Sequence, residues 1–84
     1  MKNTTTTPAF QNLGNWTKGI LNGYAICFKH FEEGSQYGIN EGRISKLEIR
    51  KDGKILYNYD RGLDFDSLDK DGKAVYSEIL KKYN

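Results

Sequence analysis

Thiol chemistry is nearly absent from these 84 residues: Cys27 stands alone, which excludes an internal disulfide. With His30 as its only histidine neighbour, Cys27 does not complete a zinc site either. Long apolar runs are missing too. The opening stretch, MKNTTTTPAFQNLGN, is polar and threonine-rich, with neither the hydrophobic segment of a signal peptide nor the length of a membrane span. Residues 1–15 are therefore expected to be an unstructured leader, and a cytosolic setting is the default for a reduced chain without an export signal. No glycine loop ending in Lys-Ser or Lys-Thr is available to cradle a phosphate. Charge of one sign is in short supply as well. The formal net charge of +2 does not demand a polyanionic partner, but positions 46–54 are rich in Lys and Arg whereas 60–71 carry five aspartates.

What is present is aromatic and turn chemistry. A chain of this length makes one domain held by its core alone, and its eleven aromatic side chains can each bury ~150–250 Å². The segment 43–62, RISKLEIRKDGKILYNYDRG, has two alternating runs around Asp52-Gly53, a dipeptide suited to a hairpin turn. A two-residue turn would pair Lys51 with Lys54 and set Leu47 and Ile49 on one face with Leu56 and Asn58. A three-residue loop with Gly53 as a left-handed bulge residue pairs Arg50 with Lys54 and gathers Leu47, Ile49, Ile55, Tyr57 and Tyr59. The hydrophobic pattern selects the second. Residues 16–31 form another hairpin around Asn22-Gly23. Its register stays open: a bulged loop puts Trp16 on the apolar face, whereas a tight turn sends it to the other. Tyr24, Ile26 and Phe28 face inward either way.

Between the hairpins, EEGSQYGINEG (32–42) is a long glycine-rich loop. After the second hairpin, YDRGLDFD leaves the sheet. Val75, Tyr76, Ile79, Leu80 and Tyr83 then recur at helical spacing, with Ser67 or Asp66 as cap and a start near Lys73 if Gly72 weakens the first turns. The expected fold is α+β: a four-stranded antiparallel sheet of two hairpins with one C-terminal helix packed on one face, a single ββββα domain over residues 16–84.

Several groups of residues carry candidate chemistry. SLDKDGKAVYSE (67–78) has most of a calcium loop by spacing, but Ser67 starts it, Ala74 stands where such loops carry a larger apolar residue, and no helix precedes it. Helix capping explains the same aspartates. Cys27 and His30 fall on opposite faces of a strand and do not form a nucleophile–base pair. Asp64 and Asp66 share a strand-like spacing but sit in an exit segment. No enzyme, cofactor or metal site is expected. Lys46, Arg50, Lys51 and Lys54 form a basic strip able to meet phosphates, although Glu48 interrupts it and edge lysines also prevent aggregation. Tyr37, Asn40, Glu41 and Arg43 of the loop, with Asp60 and Arg61 at the end of the hairpin, make a polar patch suited to protein contact. A rigid loop offering Tyr and Arg is what a binding hot spot requires; the structural alternative for the same residues is that Asp60 braces Arg43 and holds the loop closed.

The segments EEGSQYGINEGRISKLEIR, YNYDRGLDF and AVYSEILKKYN together resemble a small domain family of Gram-positive bacteria and their phages and mobile elements, to which no activity is assigned. The resemblance spans about residues 16–84. It departs at Leu63, where tryptophan is expected, and in the extra leader. It implies a non-enzymatic protein that binds a host or phage protein, for example as an inhibitor of a defence complex such as a CRISPR nuclease. The alternative is a nucleic-acid-binding accessory module using Lys46, Arg50, Lys51 and Lys54.

Overall fold

A computed structural model describes residues 11–13 and 15–84. Five strands run from Trp16 onward: β2 (Trp16–Leu21), β3 (Tyr24–His30), β4 (Ile44–Lys51), β5 (Lys54–Asp60) and β6 (Leu63–Asp66). A three-residue strand, β1 (Gln11–Leu13), lies beyond β2, so the order in the sheet is the order in the chain, antiparallel throughout. The four-stranded expectation thus falls short at both edges. Gln11–Leu13, expected to be leader, pairs with β2, and residues 1–10 lie outside the described residues. LDFD, expected to leave the sheet, instead pairs with β5.

Both hairpins use two-residue turns. Leu21 pairs with Tyr24 across Asn22-Gly23, and Lys51 with Lys54 across Asp52-Gly53, each turn having two positive φ values (52° and 82°; 53° and 79°). Paired left-handed residues match the right-handed twist of the flanking strands, which is why Asn-Gly and Asp-Gly occur there. The tight first turn sends Trp16 to the face opposite Tyr24, Ile26 and Phe28. In the second hairpin the expected bulged loop is replaced by a tight turn with the extra residue further up. Arg50 pairs with Ile55 and Ile49 with Tyr57, leaving Leu56 without an opposite number. Tyr57 is still delivered to the core beside Leu47 and Ile49, but Ile55 stays with Arg50 on the far face, exposed where burial was expected.

The one α-helix among the described residues, α1 (Lys70–Tyr83), covers that apolar face. Leu68, Val75 and Ile79 complete a core with Tyr24, Ile26, Phe28, Ile39, Ile44, Leu47, Ile49 and Tyr57. The Tyr83 ring sits 4.8 Å from Phe28, and Tyr76 4.9 Å from Tyr57. Asp69, instead of Ser67 or Asp66, is the cap: its carboxylate accepts the Gly72 N–H at 2.7 Å and the Tyr24 hydroxyl at 2.6 Å. That hydroxyl pushes the Asp69 pKa down, and the carboxylate in return raises Tyr24 to about 12. Since α1 begins at Lys70, Asp71 and Glu78 belong to the helix and no calcium loop forms.

The other end of α1 organises the long loop. Asn84 accepts the Ile44 N–H through Oδ1 (2.9 Å) and donates through Nδ2 to the Ile39 carbonyl (2.9 Å). Its main-chain oxygen accepts the Arg43 N–H at 3.4 Å. One side chain thus replaces a strand partner for the turn Ile39–Glu41, where Asn40 and Glu41 hold positive φ. Gly42 lies so close that a β-carbon there would overlap the Asn84 amide. Asn84→Ala is expected to cost about 1–3 kcal/mol, since it leaves the buried Ile44 N–H without its acceptor, while the Ile39 carbonyl keeps the Gly42 N–H. Gly42→Ala should displace the same amide. Denaturant unfolding of the double variant should therefore show less than the sum of the two single losses.

Candidate functional site

The helix leaves the opposite face of the sheet uncovered, and the strand pairings determine what stands on it. Trp16, Lys29, Lys46 and Asp60 are cross-strand neighbours in one row. Lys18, Cys27, Glu48, Asn58 and Phe65 form the next, and Ile20, Ala25, Arg50 and Ile55 the third. In the first row the Lys29 and Lys46 ammonium groups both lie 5.9 Å from the Trp16 ring centre, and Lys29 reaches the Phe31 ring at 5.4 Å. Like charges directly opposite on neighbouring strands weaken a sheet. Cation–π contacts of ~0.5–1 kcal/mol offset part of that repulsion here.

Two further irregularities shape the end of this face nearest the loop. Between Lys29↔Lys46 and His30↔Ile44 the strand carries an extra residue, Ser45, which is buried. Its carbonyl accepts the Arg61 N–H at 2.9 Å, which swings the Asp60-Arg61-Gly62 corner toward β4, with Arg61 at φ 58°. Asp60 then lies 3.7 Å from both Lys46 and Arg61. From the loop side, the Tyr59 hydroxyl donates to the Tyr37 carbonyl at 3.0 Å, and the Tyr37 N–H donates to Ser35 Oγ at 3.2 Å. The result is a cleft of about 350 Å³ lined by Lys29, Phe31, Ser35, Tyr37, Ser45, Lys46 and Arg61.

The residues expected to bind a protein partner are therefore divided. Tyr37 and Arg61 line the cleft, and Asp60 stands beside it. Asn40 and Glu41 belong to the turn that Asn84 holds, and Arg43 joins it through its main-chain N–H. The expected Asp60–Arg43 brace is replaced by Asp60–Lys46, because the tight turn and the extra residue Leu56 each shift the register by one, so that Asp60 faces Lys46 instead of Ile44. The basic strip divides as well. Lys46 and Arg50 stand on the uncovered face, Arg50 within 3.4 Å of Glu48. Lys51 is on the helix side, 4.7 Å from the Tyr24 ring, and its partner Lys54 is at the hairpin tip. Trp16, Lys29, Phe31 and Ser45 entered none of the sequence-based sites. They come from β2, from β3 and the residue just past it, and from β4, and only the tight Asn22-Gly23 turn could have placed Trp16 on this face.

A family model for a domain of unknown function (DUF7678) matches residues 15–84. The chain belongs to that family. No curated protein and no solved structure matches it. No helix among the described residues is long and apolar enough to cross a membrane. Among the described residues no three His, Cys, Asp or Glu side chains converge as metal ligands.

Cys27 stands on the uncovered face, its thiol pKa raised by burial against the opposing pull of Lys18. His30 stands on the other face, its ring 5.5 Å from Phe28 and 5.6 Å from Tyr83. Burial, aided by Arg43, lowers the His30 pKa below its ordinary 6.5. The unfolded chain then binds a proton more readily than the folded one, so stability is complete above about pH 6.5 and declines as pH falls through the folded-state value. An NMR titration of this sole histidine should give a midpoint below 6.5. His30→Gln should flatten the stability profile in that window.

Proposed function

We propose that this chain is a non-enzymatic binding protein that presents the helix-free face of its sheet to single-stranded nucleic acid. The observation that carries the reading is the Trp16 ring with Lys29 and Lys46 beside it and Phe31 next to Lys29, on a face that no other element among the described residues covers. Exposed rings on a sheet accept stacked bases of any sequence, and interleaved ammonium groups meet the phosphates between them. Phe65 and Ile20 extend the apolar platform, and Lys18 and Arg50 extend the charge. This is the nucleic-acid alternative raised by the sequence with its residues changed. Lys46 and Arg50 remain, Lys51 and Lys54 leave, and Trp16, Lys29 and Phe31 join. The non-enzymatic part is supported by the separation of Cys27 and His30 onto opposite faces.

Trp16 is the sole tryptophan, so stacking reports itself. Titration with an oligo-dT single strand should quench its fluorescence, and in a gel shift with the same strand Trp16→Phe should still bind while Lys29→Gln/Lys46→Gln should not. With about three phosphates neutralised, the slope of log K against log salt should be roughly −2. A salt-independent response, or none at all, contradicts the reading.

A second reading keeps the protein partner. Tyr37 and Arg61 are exposed and converge with Phe31 on one cleft, the residue types that dominate binding energy at protein interfaces. An inhibitor of a host defence complex rests on the family resemblance and adds no side chain to this argument. A host protein captured at high salt by the wild type, and lost with Tyr37→Ala/Arg61→Ala, would favour it.

A further inference from the structure

We infer that the cleft between the 31–43 loop and the Asp60-Arg61 corner is a nucleotide seat: it takes one phosphate with its attached base, and Asp60 acts as a built-in competitor for the cations. The inference rests on the reading of the uncovered face as a nucleic-acid surface and specifies what happens at one end of it.

Three features of the cleft point to that chemistry together. Its lining holds three cations, Lys29, Lys46 and Arg61, and no carboxylate. Lys29 and Lys46 are direct cross-strand neighbours, a like-charge pairing that an anion between them would relieve. Two partly exposed rings, Phe31 and Tyr37, form the remaining wall and offer π faces to a planar group. A carboxylate alone would use the cations and leave the rings idle, and an apolar ligand would do the reverse. A nucleotide uses both. At about 350 Å³ the cleft falls at the low end of the ~300–1,000 Å³ usual for small-ligand sites, room for one nucleotide unit.

Hydrogen-bond donors complete the seat. Ser45 is 6 % exposed, lines the cleft, and its hydroxyl bonds no described residue. Ser35 adds a second hydroxyl at the mouth. Arg61 has the planar donor fork that suits phosphate, and its backbone is already held at the cleft by the Ser45 carbonyl, which leaves only the side chain to be ordered on binding. Against this stands Asp60, 3.7 Å from both the Lys46 ammonium and the Arg61 guanidinium. Both contacts are long and exposed, hence weak. A dianionic phosphate displaces Asp60 from them, at the cost of bringing two like charges together.

The competitor gives the test its sign. Isothermal titration of the full chain with a 5′-nucleoside monophosphate should show binding tighter than inorganic phosphate and tighter than the uncharged nucleoside. Arg61→Gln and Lys29→Gln should each weaken it about tenfold, and Asp60→Asn should tighten it several-fold. Unchanged melting temperatures confirm that the variants remain folded. Binding no tighter than the free nucleoside, or weakened by Asp60→Asn, overturns the seat. If oligo-dT binds the wild type but responds to neither Arg61→Gln nor Asp60→Asn, the cleft proposal fails while the surface reading stands. If the monophosphate binds and oligo-dT does not, the surface reading fails and the seat survives.

Discussion

The structure depends on keeping strand phase across a sheet that has a helix on one side only. With side chains alternating every residue, a slip of one would move Leu47, Ile49 and Tyr57 into water and bring Lys46 and Arg50 under the helix. The chain meets this constraint with single extra residues, not with longer turns. Leu56 restores the phase of β5 after the tight Asp52-Gly53 turn, and Ser45 and Asp64 do the same at the loop end. Each insertion bends a strand, and the bends at Ser45 and Asp64 flank the corner where the cleft lies. Phase correction and site geometry therefore have a common origin.

Helix burial and loop order are similarly linked. Val75 and Ile79 are almost fully buried, each worth ~1.5–3 kcal/mol by transfer from water, and they fix the helix over β3 and β4. Once placed there, α1 brings Asn84 to the turn Ile39–Glu41, where it adds a second donor to the Ile39 carbonyl and accepts the Arg43 and Ile44 N–H groups that follow the turn. A loop held at that side can present Ser35 and Tyr37 at the other, where Tyr59 adds its own hydrogen bond. The wall of the cleft is thus tied by a few bonds to the core that the helix closes.

Much of this was legible in the residues, and the failures have physical causes. The turn dipeptides, the inward set Tyr24, Ile26, Phe28, Leu47, Ile49 and Tyr57, and the helical stripe all follow from local chemistry and periodicity. The reading of 43–62 reached the right face for Tyr57 by the wrong turn, because a bulge at Gly53 and a bulge at Leu56 give the same alternation beyond residue 56 and differ before it, at Lys54 and Ile55. LDFD escaped as a strand because an edge segment with all four residues exposed has no inward face to signal it. Asn84 carried no pattern at all: a lone amide after a helix reads as solvent-exposed until the loop it bonds is in place. The aromatic and cationic cluster was hidden for a further reason. Trp16, Lys29, Lys46 and Arg61 come from four separate segments, and their meeting depends on the register of two hairpins at once.

The separation of the two faces is best tested by nuclear Overhauser contacts in solution. The account predicts cross-peaks from the Tyr57 ring to Tyr76 and from the Lys51 side chain to the Tyr24 ring, with Ile55 and Arg50 showing none to the helix. Cross-peaks from Ile55 to α1, with Lys51 pointing away from Tyr24, would mean that the extra residue lies in the turn, and the uncovered face would no longer hold the residues assigned to it.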